Sequence, residues 1–364
     1  MAYSPAKRGL QFTDENGNEF WIRQVGGKPV LSTVPFLYEV MKGNVENYAG
    51  LRVIGYNSKV DESMEDLWDV GGLFVPPDVP MQLEIASSSK YDDGNVIKSG
   101  TSDNITYEAS VDHGSILTLT DGEVSFTAGT PVEVGDCLLL DGEGTYAIVQ
   151  TVATSVLTAI TYFSASDVST QPYRIVGDSE GGTGVKVVKL HYLDGDYVEG
   201  TELVVTNGKS AVTTAATSIL RVNELHTAFT GSEKCAVGSV DIRHLNNTPV
   251  YRRIAPEFNI DQNCFWTVPT NKAVYITNIV AGVGNASGNR MVEFRLVATC
   301  DHHGHYTKDV FHTKDIVIVQ DDCVQIPASL PIRCPARTDI KISVRGDKKN
   351  SKALCGGHFE GWVE

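Results

Sequence analysis

No run of this sequence approaches the ~20 continuous apolar residues that a membrane-spanning helix requires, so membrane insertion through a helix is excluded. The opening residues, MAYSPAKRGLQFTDENGNEFW, hold no apolar core followed by small cleavage-site residues, so the expectation is a chain folded in a cytoplasm. Methionine is scarce, and long stretches rich in Ala, Leu, Glu and Lys are missing, which argues against helices. Seven cysteines, at positions 137, 235, 264, 300, 323, 334 and 355, include no C-x-x-C pair. An odd, scattered set argues against a disulfide framework and for reduced thiols, most of them buried as small apolar groups. Positive charge is short as well: 30 Lys and Arg stand against 45 Asp and Glu, a formal net charge of -15. A nucleic-acid surface needs clustered cations to displace counterions, and Arg345, Lys348, Lys349 and Lys352 read better as a solvated turn between strands. Nucleic acid is therefore not an expected partner. The acidity serves solubility through self-repulsion.

Signatures of catalysis are missing too. The chain has no G-x-S-x-G elbow, no G-x-x-x-x-G-K-[ST] phosphate loop and no H-E-x-x-H helix. Gly181-Gly182-Thr183-Gly184 opens a strand, so no helix N-terminus follows it to hold phosphate. Polysaccharide cleavage needs two carboxylates at a set separation across a sugar groove. Acidic residues are so numerous that no pair stands out, and Trp68, Trp266, Tyr306 and Trp362 are scattered. The expectation is a protein without catalytic residues or cofactor.

What is plentiful is Val, Thr, Ser and Gly, the composition of pleated sheets and tight turns. The fold class read from this is all-β, and 364 residues suggest two or three domains. Residues 1–45 read as an arm: FTDENGNEFWIRQV has the look of a hairpin turned at Glu15, Asn16 and Gly17, and VPFLYEVMKG is locally helical in pattern. Phe20, Trp21, Phe36, Leu37 and Tyr38 are its candidates for docking on another surface. Residues 46–92 and 179–245 read as one split β domain, with Trp68 as a core anchor and Asn207-Gly208 as a hairpin turn. Residues 93–178 look inserted in it as a small β-barrel, since Gly-centred turns recur about every ten residues between loop-like flanks. Residues 246–364 carry at least seven strand-like runs and suit an antiparallel, jelly-roll-like β-sandwich.

One constellation invites a sharper reading. CDHHGHYTKDVFH places Cys300, His302, His303, His305 and His312 within a short span, and thiolate with imidazole suits zinc. Gly304 marks HHGH as the tip of a turn, where histidines are also acceptable without a ligand. No metal is therefore expected, and Cys300, His302, His303 and His305 are the candidate ligands should one bind. Histidines at a contact between subunits would also make that contact sensitive to protons.

Several strings, taken in their order along the chain, carry a resemblance. They are EDLWDVGG at 65–72, IASSS at 85–89, GGTGVKVVKLHYLDGDYVEGTE at 181–202, VTTAATSILRVNEL at 212–225, WTVPTNKAVYITNIVAG at 266–282 and PARTDIKISV at 335–344. Together they resemble a loosely defined group of virion structural proteins of tailed bacteriophages, many of them marine, over about two-thirds of the chain. The insert departs from that group and looks like small barrels appended to phage head and tail components. The resemblance implies a non-enzymatic, oligomeric component of the virion, assembled in the host cytoplasm, as head decoration or appendage. Its implied partners are its own copies, as a homotrimer, and capsid or tail proteins. A receptor- or carbohydrate-binding fibre that meets a host surface glycan, and a polysaccharide depolymerase, are the alternatives.

Overall fold

β-branched runs punctuated by glycine turns become twenty-six strands, and no helix occurs among the described residues. The computed structural model describes residues 9–13, 19–25, 28–30, 48–110, 114–141, 144–161, 170–284, 291–320, 322–347 and 353–364. β1 (Gly9–Thr13), β2 (Glu19–Val25) and β3 (Lys28–Val30) form an antiparallel meander, with Gly9 opposite Arg23 and Thr13 opposite Glu19. This is the hairpin expected of the arm. Phe20 and Trp21 lie on β2, whereas Phe36, Leu37 and Tyr38 fall outside the described residues, as does the VPFLYEVMKG segment.

β4 (Ala49–Val60), β5 (Glu65–Asp66) and β6 (Leu83–Ser87) precede the insert. The insert holds β7 (Val96–Thr101), β8 (Asn104–Ser110), β9 (Gly114–Thr120), β10 (Cys137–Leu140), β11 (Thr145–Val152), β12 (Val156–Thr161) and β13 (Pro172–Val176). These seven pair in the order β7-β13-β10-β11-β12-β9-β8. β7 and β8 are thus opposite edges of one sheet, yet only Ser102 and Asp103 separate them in sequence. A linker that short forces the sheet to curl until its edges approach at that end, which makes the insert barrel-like. Ile105, Leu117, Phe126, Leu138, Leu140 and Ile175 fill the inside.

β14 (Val185–Asp194), β15 (Glu199–Val205), β16 (Val212–Thr213), β17 (Ile219–Thr230), β18 (Val240–His244) and β19 (Val250–Ile254) follow. They form two sheets, β15-β14-β17 and β16-β6-β18-β19, around Leu83, Ile85, Val188, Leu190, Val222 and Ile242. β6 and β14 lie on either side of the insert in sequence. Asn207-Gly208 does turn, with Gly208 at φ 54, but it does not close a hairpin. β15 stays with β14, while β16 joins β6, so the turn carries the chain from one sheet to the other.

β20 (Phe265–Thr267), β21 (Val274–Gly284), β22 (Met291–Ala298), β23 (His312–Gln320), β24 (Cys323–Cys334), β25 (Asp339–Gly346) and β26 (Ala353–Val363) complete the order. They make a sandwich of β20-β25-β22-β23 over β24-β21-β26-β4, with β5 also pairing β25. The chain changes sheet from β21 to β22 and again at each step from β23 to β26, the winding of a jelly-roll-like sandwich. Residues 49–66 thus part from the grouping of 46–92 with 179–245. β4 runs antiparallel to β26 from Ala49 opposite Val363 to Val60 opposite Ala353. β19, read with the sandwich, pairs β18 instead. Alternating apolar residues specify a face to bury but not the strand beside which to bury it.

Buried polar groups fasten these units. Asp92, fully buried, accepts hydrogen bonds from Ser87 Oγ at 2.6 Å and from the N–H groups of Val185, Val237 and Gly238 at 2.9, 2.9 and 2.7 Å. Arg221 of β17 reaches into the sandwich, where Nε and Nη2 donate to the two carboxylate oxygens of Asp339 at 3.1 and 3.0 Å. Trp68 anchors a small aromatic cluster with Phe74 and Phe265, its Nε1 donating to the Gly72 carbonyl at 3.1 Å.

Candidate functional site

Antiparallel pairing sets His191 of β14 opposite Glu224 of β17, and Lys189 opposite His226. Residues two apart on a strand share a face, so Glu224 and His226 project on the same side. The His191 and His226 rings stack with centroids 5.4 Å apart. Nδ1 of His226 lies 2.7 Å from Oε1 of Glu224, off the line of a well-formed hydrogen bond, and is screened from solvent. Each of the three residues offers one ligand atom, and these atoms all lie within 4.8 Å of one another.

His191 and Glu224 stand at the wall of a cleft of about 380 Å³, lined also by Tyr192, Glu199, Thr201 and Trp266 among others. Trp266 belongs to β20 of the sandwich and is placed by a reciprocal lock. Asn223 Nδ2 donates to the Thr267 carbonyl, and Thr267 N–H donates back to Asn223 Oδ1, both at 2.9 Å. Gly200, paired with Tyr192, lets the phenol ring lie over it; a Cβ there would make the ring shift. Glu199 is tied to Lys272 by an ion pair. Beneath the cleft, Arg252 is buried and donates to Asp261 Oδ1 at 2.7 Å and to the carbonyls of Val222, Asn263 and Phe265.

The electrostatics favour the neutral form of His191 and the charged form of Glu224. Burial pushes His191 below the ordinary histidine range, His226 and Lys189 add to this, and Glu224 and Glu199 oppose it. Contact with His226, working against burial, holds Glu224 below the usual carboxylate range. Burial likewise lowers Lys189, with Glu224 opposing. Neutral imidazole and ionised carboxylate are the forms that bind a divalent transition-metal ion.

No family model, curated protein or solved structure matches this chain.

The candidates read from sequence fall elsewhere. His302, His303 and His305 are exposed on a turn with Gly304 at φ 78. Asp301 organises that turn: Oδ1 accepts from the N–H groups of His303 and His305 at 2.9 Å, and Oδ2 lies 3.0 Å from His305 Nδ1. These contacts hold the Asp301 carboxyl well below its ordinary range. Cys300 does not join the histidines, because it faces the sandwich core beside Cys334. A hydrogen bond between the two thiols holds Cys300 low and pushes Cys334 up. None of the seven cysteines is in a disulfide, and five of them are buried. His191, Glu224 and His226 escaped notice because 33 positions separate the first two (191 to 224) and only strand register brings them together. The one local signal was Glu224-x-His226, two donors on one face of a strand.

Proposed function

We propose that the chain is a non-enzymatic structural component of a tailed-phage virion, built to associate with copies of itself and to dock on other particle proteins. The feature that supports this reading most directly is the flank of the sandwich formed by β23 and β24. One flank packs through β20 against β17. On the other, β23 pairs only with β22, and β24 only with β21, among the described residues. Val317 and Val319 point inward, so Ile316 and Ile318 face out, 52% and 65% exposed, beside Met291 on the neighbouring strand. On β24, residues 328–331 bulge out against Thr277 alone, between the pairs Asn278–Pro327 and Ile276–Ile332. The bulge carries Leu330, which is 81% exposed.

Prolines 327 and 331 lack the N–H that would extend a ladder, so β24 is guarded against open-ended strand addition. What remains is a leucine knob next to an isoleucine face. A knob from one copy set on the face of the next is a heterologous contact, which gives a ring such as a trimer where its rotation closes. Covering these side chains removes apolar surface from water at roughly 25 cal/mol per Å².

The test is mass by light scattering on the purified chain. A trimer or larger species is expected for the wild type. Ile318→Lys combined with Leu330→Asp should give a monomer of 39.4 kDa with an unchanged β spectrum. A wild-type chain that stays monomeric at high concentration, alone and with particles, would sink the assembly reading.

A further inference from the structure

We propose that His191, Glu224 and His226 form a binding site for one divalent transition-metal ion of the zinc class, set in the wall of the cleft between β14, β17 and Trp266. The donor set carries this assignment. Two imidazoles and a carboxylate, with a position left open, are a common way to hold zinc through its borderline-soft character. The three ligand atoms already converge within 4.8 Å of one another. Around a tetrahedral ion with bonds of about 2.1 Å, neighbouring donors stand about 3.4 Å apart. Small side-chain rotations close that gap, and they need no movement of the paired strands.

Two further features fit a shared ligand. Nδ1 of His226 is cut off from solvent and faces Glu224 Oε1 at 2.7 Å off the line of a well-formed hydrogen bond, so imidazole and carboxylate already point at a common position. The His191 and His226 rings lie nearly parallel, with 28° between their planes, which brings two nitrogens to the same side of the sheet. His191 and Glu224 both line the cleft, so the open position of the ion faces it. A water or a hydroxyl- or carboxylate-bearing molecule in the cleft would complete the coordination.

The surrounding charges set limits on the affinity. Lys189 stands opposite His226 and opposes a cation, as does Arg252 behind Glu224. Glu199, on the strand beside His191, favours one. Hard cations, which prefer all-oxygen cages, are poorly served by this set. Zn²⁺ is therefore expected to bind and Mg²⁺ and Ca²⁺ are not.

Full-length protein stripped with a chelator and dialysed against micromolar Zn²⁺ provides the test, with elemental analysis as the readout. One zinc per chain is expected, together with a Tm raised by several degrees, as a ligand specific to the folded state produces. Mg²⁺ and Ca²⁺ should leave both unchanged. His191→Asn with His226→Asn should abolish retention, while His303→Ala with His305→Ala, on the exposed turn, should retain it in full. Co²⁺ in place of zinc should give the visible absorption of a site of low coordination number. Failure to retain zinc, retention by the His191/His226 variant, or loss in the His303/His305 variant would each overturn the assignment. If the His191/His226 variant does not fold, the Co²⁺ spectrum of the wild type decides: octahedral, water-like absorption refutes the site.

Discussion

Asp92 has four donors aimed at one buried carboxylate, drawn from β6, β14 and the loop before β18. Hydrogen bonds to an ionised acceptor contribute about 1.5–3 kcal/mol each, and an unmatched donor costs about as much. Asp92→Asn would turn an amide NH₂ towards one of these backbone N–H groups. A loss of about 2–4 kcal/mol is expected, read as a lower urea midpoint. Asp69 presents the reverse case. Burial, reinforced by Asp241 and Asp261 and opposed by Arg253, pushes its carboxyl up to about 6. In the unfolded chain an aspartate titrates near 3.9, so the folded state holds this proton more tightly. Stability from that proton is present below about pH 4 and is lost as pH rises through about 6. Allowing for partial solvent screening, Asp69→Asn should stabilise the protein by about 1–2 kcal/mol at pH 8 and have little effect at pH 4. Thermal melts of both proteins across that range check the sign. Neither aspartate stands out in a sequence that holds so many acids; environment, not residue type, singles them out. The same is true of His191 and Glu224, whereas the crowded histidines of 302–305 were conspicuous and turned out to be solvated.

β10 and β14 show how two covered faces change the meaning of a pattern. In β10, Leu138 and Leu140 enter the barrel, while Cys137 and Leu139 face outward and meet Val187 and Leu203. In β14, Val188 and Leu190 enter one core and Val187 the other. The alternation in VKVVKLHY reads as a half-buried strand, but the barrel covers its second face. Lys186 survives there because Nζ donates to the carbonyls of Gly177, Asp178 and Glu180 at 2.8, 2.6 and 2.5 Å. The barrel's ends lie side by side, Val96 opposite Val176, so it can be excised with a short linker. The shortened protein should retain its β-sheet circular dichroism but bind a hydrophobic dye strongly, because Val187, Leu203 and Phe229 lose their cover. Adding Val187→Thr and Leu203→Thr should reverse the dye signal. The strands and turns of this curled sheet were legible because turn spacing is a local property. Its mode of attachment was not, because a face covered from outside leaves no periodic signature.

At the scale of the whole molecule, the class and the succession of strand-rich segments could be read from composition and turn chemistry. Sheet membership could not, since LRVIGYNSKV suits any edge that offers backbone partners. That ambiguity bears on how the chain is made. β4 is the neighbour of β26, whose strand is synthesised roughly 300 residues later, a highly non-local pairing. At translation speeds of about 5–20 residues per second, β4 leaves the ribosome some 15–60 s before its partner exists. Barrel and split unit have their strands in hand well before then, so the order of assembly runs from the middle of the chain outward. The sandwich edge is the last thing sealed. Until β26 arrives, β4 lacks its partner strand, and the net charge of -15 on the whole chain works against association between neighbouring nascent chains.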